Sequence, residues 1–348
     1  GPRLRTVGIT GTNGKTTVTA MTGHLLYAAG IDCEIAGNIG PAALAALTAR
    51  VEARRLPAVW VLELSSYQLE STWTLAPDAA AMLNLSEDHL DRYASLAGYG
   101  MAKERIFAGA GIQVLNRDDM RSLAMAIPGR RRVSFGLGAP AGDEDYGLVR
   151  VNGADWIARG GRRIVATGEL QLRGAHNAAN AMAAAALASL AGAKAEAIAA
   201  GLRSFPGLPH RFEQVRTMHG VVYVDDSKAT NVGATLAALN GLGRPALLIL
   251  GGEGKGQDFT ALAEAVARHA TRVLLIGCDA PRIAAALATA GVPLENCATL
   301  EDAVGAAARA ARPGDAVLLS PACASFDMFL DYRHRGEVFA RAVMELAP

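Results

Sequence analysis

Two periodicities alternate along the chain. Arg5–Thr10 is a short β-rich run ending in a glycine loop, Gly11–Gly14, and from Lys15 to about Ala29 the pattern turns helical. Ile31–Ile35, Val59–Leu64 and Ala79–Leu85 read as further strands, with helical patterns at Pro41–Val51 and Gln68–Thr74 between them. Val59–Leu64 is nearly all apolar, as a parallel strand covered on both faces requires. This alternation predicts an α/β fold: a P-loop-type first domain around a mostly parallel sheet. Between Asp143 and Leu172, glycine turns separate short apolar pieces, which predicts a smaller antiparallel section. Alanine-rich helices follow at His176–Ala191 and Lys194–Ser204. The breaker cluster Phe205–Pro209 divides the chain into domains 1–207 and 208–348. The second half restarts with a β pair around Glu213–Val224, and a helix at Asn231–Leu242 and a strand at Ala246–Leu250 follow. Then come helix Thr260–Ala270, strand Arg272–Ile276 and helices Pro281–Ala290 and Leu300–Ala311. Strand Ala316–Leu319 and a terminal helix from about Gly336 close a doubly wound, Rossmann-like pattern.

Composition narrows the function classes. The 348 residues carry 34 basic and 33 acidic side chains, a balance that argues against gripping a nucleic-acid backbone. No apolar stretch reaches the ~18 residues of a membrane span, and no signal peptide opens the chain. Cys33, Cys278, Cys297 and Cys323 form no C-x-x-C pair, which reads as reduced, mostly buried thiols in a cytoplasmic protein. Cys323 has no evident base beside it to make a nucleophile. Gly1-Pro2 looks like the remnant of a cleaved tag.

The first chemistry lies in Gly8-Ile-Thr-Gly-Thr-Asn-Gly-Lys-Thr-Thr17, between a strand and a helix. Backbone N–H groups of such a loop turn inward, and the helix N-terminus adds partial positive charge. Lys15 can reach β and γ phosphates, and the Thr16 hydroxyl is placed for Mg²⁺. The glycine spacing departs from G-x-x-x-x-G-K-[ST], so the loop is a variant, with Gly11, Thr12, Asn13, Gly14 and Thr17 completing the cradle. Glu63 in an apolar strand needs a partner such as a metal or a cation. His89, by its residues alone, is as readily a surface or hydrogen-bonding histidine. Lys103 reads as a solvated helical lysine. Asn177, Asn180, Ser227, Thr230 and Asn231 are helix-cap types. Gly251-Gly-Glu-Gly-Lys-Gly256 is a weak second glycine run.

Several segments together resemble the Mur ligase family, which includes folylpolyglutamate synthase relatives. They are Thr10–Thr16, Gly37–Gly40, Leu62–Leu69, Asn84–Asp91, Gly207–Glu213, Asp226–Asn231 and Ser320–Ser325. The last three look like the family's D-glutamate-adding members, in the family's order along nearly the whole chain. The resemblance implies ATP-driven amide formation through an acyl phosphate, joining D-glutamate to a UDP-sugar peptide precursor in peptidoglycan synthesis. It implies Mg²⁺, two ions, on Thr16, Glu63, His89 and a Lys103 carbamylated by CO₂. It places Asn177, Asn180, His210, Arg211 and Asp226 on the nucleotide. Asn38, Lys228, Thr230, Lys255, Ser325, Phe326 and Tyr332 fall on the substrate side. Lys15, Glu63, His89 and Lys103 are the catalytic set, and closure about Phe205–Pro209 would unite the two domains. The expected partners are small molecules, with no nucleic acid or membrane, and the expected state is a monomer. The chain begins at the strand feeding the phosphate loop, so a UDP-binding domain of about 90 residues is expected to be missing, with impaired UDP-sugar binding. Other readings stay open: a folylpolyglutamate synthase-like or other Mur ligase, a P-loop ATPase, or an ATP-binding module without turnover.

Overall fold

A computed structural model describes residues 5–89, 92–172 and 174–347. Residues up to Ser86, with Tyr93–Pro206, form one compact unit; Gly207 onward forms a second, and the short segment between Ser86 and Tyr93 groups with it.

In the first unit β1 (Arg5–Thr10) leads to α1 (Lys15–Ala28), β2 (Cys33–Gly37), α2 (Ala43–Glu52), β3 (Val59–Glu63) and α3 (Ser66–Glu70). There follow β4 (Ala79–Met82), α4 (Leu96–Glu104), β5 (Ile112–Asn116), α5 (Met120–Ala124) and β6 (Arg132–Phe135). The unit closes with β7 (Tyr146–Val151), β8 (Ala154–Arg159), β9 (Arg162–Ala166), α6 (Ala175–Leu190) and α7 (Ala195–Ser204). Among the described residues the sheet order is β2-β3-β1-β4-β5-β6-β7-β8-β9. Pairing is parallel as far as β7, and β7-β8-β9 form antiparallel hairpins, as the glycine turns predict. All five residues of β3 are buried, which explains its unbroken apolar run. Alanine side chains let α6 lie close to the sheet and to α1, and most of its residues from Ala178 to Ala188 are buried.

The second unit holds β10 (Glu213–Met218), β11 (Val221–Asp225), α8 (Val232–Leu242), β12 (Ala246–Gly251), α9 (Leu262–His269) and β13 (Ala270–Ile276). It continues with α10 (Ala280–Ala286), β14 (Leu294–Asn296), α11 (Leu300–Ala310), β15 (Ala316–Leu319) and α12 (Tyr332–Glu345). The sheet order is β10-β11-β15-β12-β13-β14, parallel apart from the β10–β11 hairpin. Apolar layers cover both faces, one including Leu248, Leu250, Leu262 and Ile283, the other Ile249, Leu274, Val304 and Phe339.

Two expectations shift. The terminal helix begins at Tyr332, a turn before Gly336, because Asp331 Oδ1 accepts the amides of Arg333 and His334 at 2.8 and 2.9 Å. Strands β5, β6 and β14 are additions: three to five residues each, too short to show a period. Among the described residues no helix is long and apolar enough to cross a membrane.

Candidate active site

In the first unit β1 runs between β3 and β4, with Ile9 level with Glu63 and Thr10 level with Met82. Its carboxyl end is therefore flanked by Glu63 on one side and by the chain leaving β4 on the other. Ligands of open α/β sheets gather at such a place. The loop is braced before any ligand arrives. Thr12 N donates to Asn84 O at 2.9 Å, Asn13 N to Asn84 Oδ1 at 2.8 Å, and Asn84 Nδ2 to Asn13 O at 3.1 Å. Thr12 Oγ1 donates to Ser86 O and accepts from Ser86 N, at 3.2 and 3.1 Å.

Gly14 stands at φ +82, the left-handed turn that starts α1, and no side chain caps that helix. A Cβ there would fall 2.6 Å from Asn180 Oδ1, so Asn180 of α6 lies directly against the loop. Asn180 Nδ2 donates to Asn177 Oδ1 at 3.3 Å, so the two asparagines form one cluster beside the loop. Lys15 Nζ folds over the loop and donates to Gly11 O at 2.9 Å and Thr12 O at 2.8 Å. Thr16 is half-buried and Thr17 buried on the first turn of α1.

Lys103 departs from the solvated reading. On α4 it is 1% exposed, its Nζ donates to Gly11 O at 2.8 Å, and it lies 4.6 Å over the Tyr99 ring. Helix α4 thus delivers a cation to the phosphate loop from 92 residues away in sequence.

Glu63 carries the clearest demand for a cation. The residue is 1% exposed, and Asn38 Nδ2 donates to its Oε1 at 2.9 Å. Among the described residues its buried Oε2 has no hydrogen-bond partner. A buried carboxylate oxygen left without a partner is costly. A hard divalent ion takes oxygen ligands of this kind, so the residues present fit Mg²⁺. His89 lies in the segment that groups with the second unit; its N–H donates to Asp88 Oδ1 at 3.0 Å and its Nε2 lies 3.9 Å from Asp88 Oδ2.

The second unit assembles its own cluster. His210 Nδ1 and Asp225 Oδ2 are 2.7 Å apart, and this bond raises the imidazole pKa against an opposing effect of burial. Asp226 accepts from Ser320 Oγ at 2.9 Å and from Phe212 N at 3.1 Å. Burial of its carboxyl pushes it up to about 7. Arg211, half-buried, sits between His210 and Phe212. Lys228 Nζ lies 3.9 Å over the Tyr332 ring, and Thr230 N donates to Lys228 O at 2.9 Å. Lys255 is exposed at φ +50. Its loop is joined to the loop bearing Ser325 by paired backbone bonds between Glu253 and Ala324, at 3.0 and 2.9 Å. Ser325 is buried, whereas Phe326 is 65% exposed. Burial pushes the Cys323 thiol up to about 12, far from a reactive thiolate.

Comparison with known proteins bears on this arrangement. Residues 9–188 match the model of the Mur ligase middle domain, and residues 210–323 that of the Mur ligase glutamate ligase domain. This chain belongs to the Mur ligase family. Proteins named "UDP-N-acetylmuramoylalanine--D-glutamate ligase" from Nitrosospira multiformis and Thiobacillus denitrificans are 53% and 56% identical to it. Both alignments span 99% of this chain, and 73% and 72% of those relatives. Among solved structures, MurF from Acinetobacter baumannii aligns at TM-score 0.73 and 20% identity, over 98% of this chain and 77% of that one. Folylpolyglutamate synthase from Mycobacterium tuberculosis aligns at 0.69 and 17%, over 100% of this chain and 92% of that one. At such identities the likeness is one of fold.

Within this Mur ligase the structure brings Asn180 and Lys103 against the glycine loop and sets Glu63 level with Ile9 of β1. The sequence alone does not foresee Asn84 as a brace of the loop or Asp225 as the partner of His210. Asn84 has a signal, since it opens the segment Asn84–Asp91 that carries part of the family resemblance.

Proposed function

We propose that this chain is an ATP-dependent ligase that adds D-glutamate to UDP-N-acetylmuramoyl-L-alanine through an acyl phosphate. The observation that carries the reading is the unpartnered Glu63 oxygen beside a phosphate loop. The D-glutamate assignment is supported by the relatives' similarity along 99% of the chain.

A carboxylate resists attack by an amine because oxide is a poor leaving group. The γ-phosphoryl group of ATP moves to the acceptor carboxylate, making phosphate the leaving group. The amine of D-glutamate then attacks the acyl carbon and phosphate departs. Loop amides and the start of α1 receive the phosphates. Lys15, which donates to Gly11 O and Thr12 O, would turn to the β and γ oxygens. On this reading Asn177, Asn180, His210, Arg211 and Asp226 bind the nucleotide. Lys228, Thr230, Lys255 and Ser325 hold the amino acid, with Asn38, Phe326 and Tyr332 bordering the substrates.

Thr16, Glu63, His89 and a carbamylated Lys103 would hold Mg²⁺, as two ions. When bound, the metal neutralises charge on the phosphates. Carbamylation turns the Lys103 cation into an anion suited to that role. The chain acts as a monomer on small-molecule substrates.

Incubation with Mg-ATP, D-glutamate and UDP-N-acetylmuramoyl-L-alanine tests the reading. Phosphate release with a product heavier by one glutamyl residue supports it. Turnover only with L-glutamate and a folate, or ATP hydrolysis independent of any acceptor, contradicts it.

A further inference from the structure

Arg335 is the largest side chain among those fully buried, at 0% exposure on the first turn of α12. A guanidinium there is doubly disfavoured. It is removed from water, and it sits near the positive end of a helix. Among the described residues no carboxylate forms an ion pair with it. Its donors go to neutral oxygens: Nε to Ser227 Oγ at 3.0 Å, Nη2 to Ser227 O at 2.8 Å and Cys323 O at 3.1 Å, and Nη1 to Ala324 O at 3.3 Å. Burial lowers its pKa to about 10, still cationic at neutral pH.

The oxygens it gathers have a pattern. Ser227 directly precedes Lys228, and Ala324 directly precedes Ser325. Ser227 Oγ donates onward to Tyr332 O at 2.8 Å. Ser227 N donates to Asp225 Oδ1 at 2.8 Å, and Asp225 holds His210. Ala324 is bridged to Glu253, two residues before Lys255. One planar fork thus ties together the backbones of the loops carrying Lys228, Ser325 and, through the Glu253 bridge, Lys255. A lysine ammonium concentrates its three donors on one nitrogen, whereas the guanidinium spreads five over a rigid plane that spans these oxygens.

We infer that Arg335 is the positioning residue of the amino-acid site: it sets the Lys228, Lys255 and Ser325 loops in register. The inference rests on the D-glutamate reading above and deepens it. Arg335 touches no reacting atom; it acts through the loops.

The test measures D-glutamate and ATP-analogue affinity by titration calorimetry on the full chain, for the wild type, Arg335→Met and Arg335→Lys. Melting curves and amide hydrogen exchange accompany each. The expected result is D-glutamate affinity at least tenfold weaker in Arg335→Met, partly restored in Arg335→Lys, with a smaller loss of ATP-analogue affinity. Faster exchange should be confined to residues 225–230, 253–256 and 322–326. If Arg335→Met does not fold, Arg335→Lys carries the comparison, since it keeps the charge and loses the fork. Unchanged D-glutamate affinity, or equal losses for both ligands, overturns the inference. A wild-type chain that does not bind D-glutamate overturns the substrate reading instead. Exchange then decides for Arg335, and unaltered protection in those three loops overturns its role.

Discussion

Asp226 is only half-buried as a residue, yet its carboxyl is enclosed by the Phe212 amide and the Ser320 hydroxyl. Burial, the largest cause, holds its proton to about pH 7, and the neighbouring Asp225 charge adds to this. In the unfolded chain the same proton leaves near pH ~3.9. Between those limits the native state binds more protons, so stability falls as pH rises from about 4 to about 7. His210 acts in the same direction. Its bond to Asp225 raises its pKa, so its contribution is complete below ~6.5 and is lost as pH climbs through the raised value. Asp226→Asn should therefore melt with the wild type below pH 4 and above it at pH 8. A wild-type advantage at pH 8 in scanning calorimetry would contradict the assignment. In the phosphate loop, Lys15→Ala should lower turnover by about 10²–10³ while the melting temperature holds, because its charge serves the transition state. Retained kcat would remove Lys15 from the mechanism.

Helix α1 owes its start to Gly14, since a side chain at φ +82 is strained and its Cβ would collide with Asn180. Gly14→Ala should fold yet lose at least tenfold in ATP-analogue affinity, read by calorimetry. Undiminished affinity would show that the loop tolerates the displaced Asn180. Gly336 on α12 meets a similar limit, as an added Cβ would lie 2.2 Å from His210 Nδ1. Helix α8 begins at Asn231, whose Oδ1 accepts Ala234 N at 2.9 Å. Asn231→Ala should cost about 1 kcal/mol in urea unfolding. Helix α8, with Asn231 as its cap, was legible because cap chemistry is local. The start of α12 was not, because Asp331 lay outside the apolar pattern and only its two amide bonds reveal it as the cap.

The division into two units makes a single two-state transition a poor expectation for the whole chain. A ligand held chiefly by the phosphate loop should move the first unit's transition more than the second's. With Mg²⁺ and a non-hydrolysable ATP analogue at ~100 times Kd, that transition should gain about 2.7 kcal/mol. Glu63→Gln should remove the Mg²⁺-dependent part, since it takes away the carboxylate whose Oε2 lacks a partner. Equal shifts with and without metal in both proteins would count against a metal at Glu63. Sequence alone sufficed for the alternation of strands and helices, the antiparallel hairpins, the phosphate loop and the family resemblance. Each of these is written in neighbouring residues, by hydrophobic period, glycine placement or motif spacing. Only tertiary packing decided that Lys103 leaves solvent to reach Gly11, that Asn84 braces the loop, and that Arg335 gathers two loops. Those facts depend on bonds between residues dozens to more than a hundred positions apart, and no local pattern of polar and apolar side chains encodes which distant carbonyl a buried donor will find.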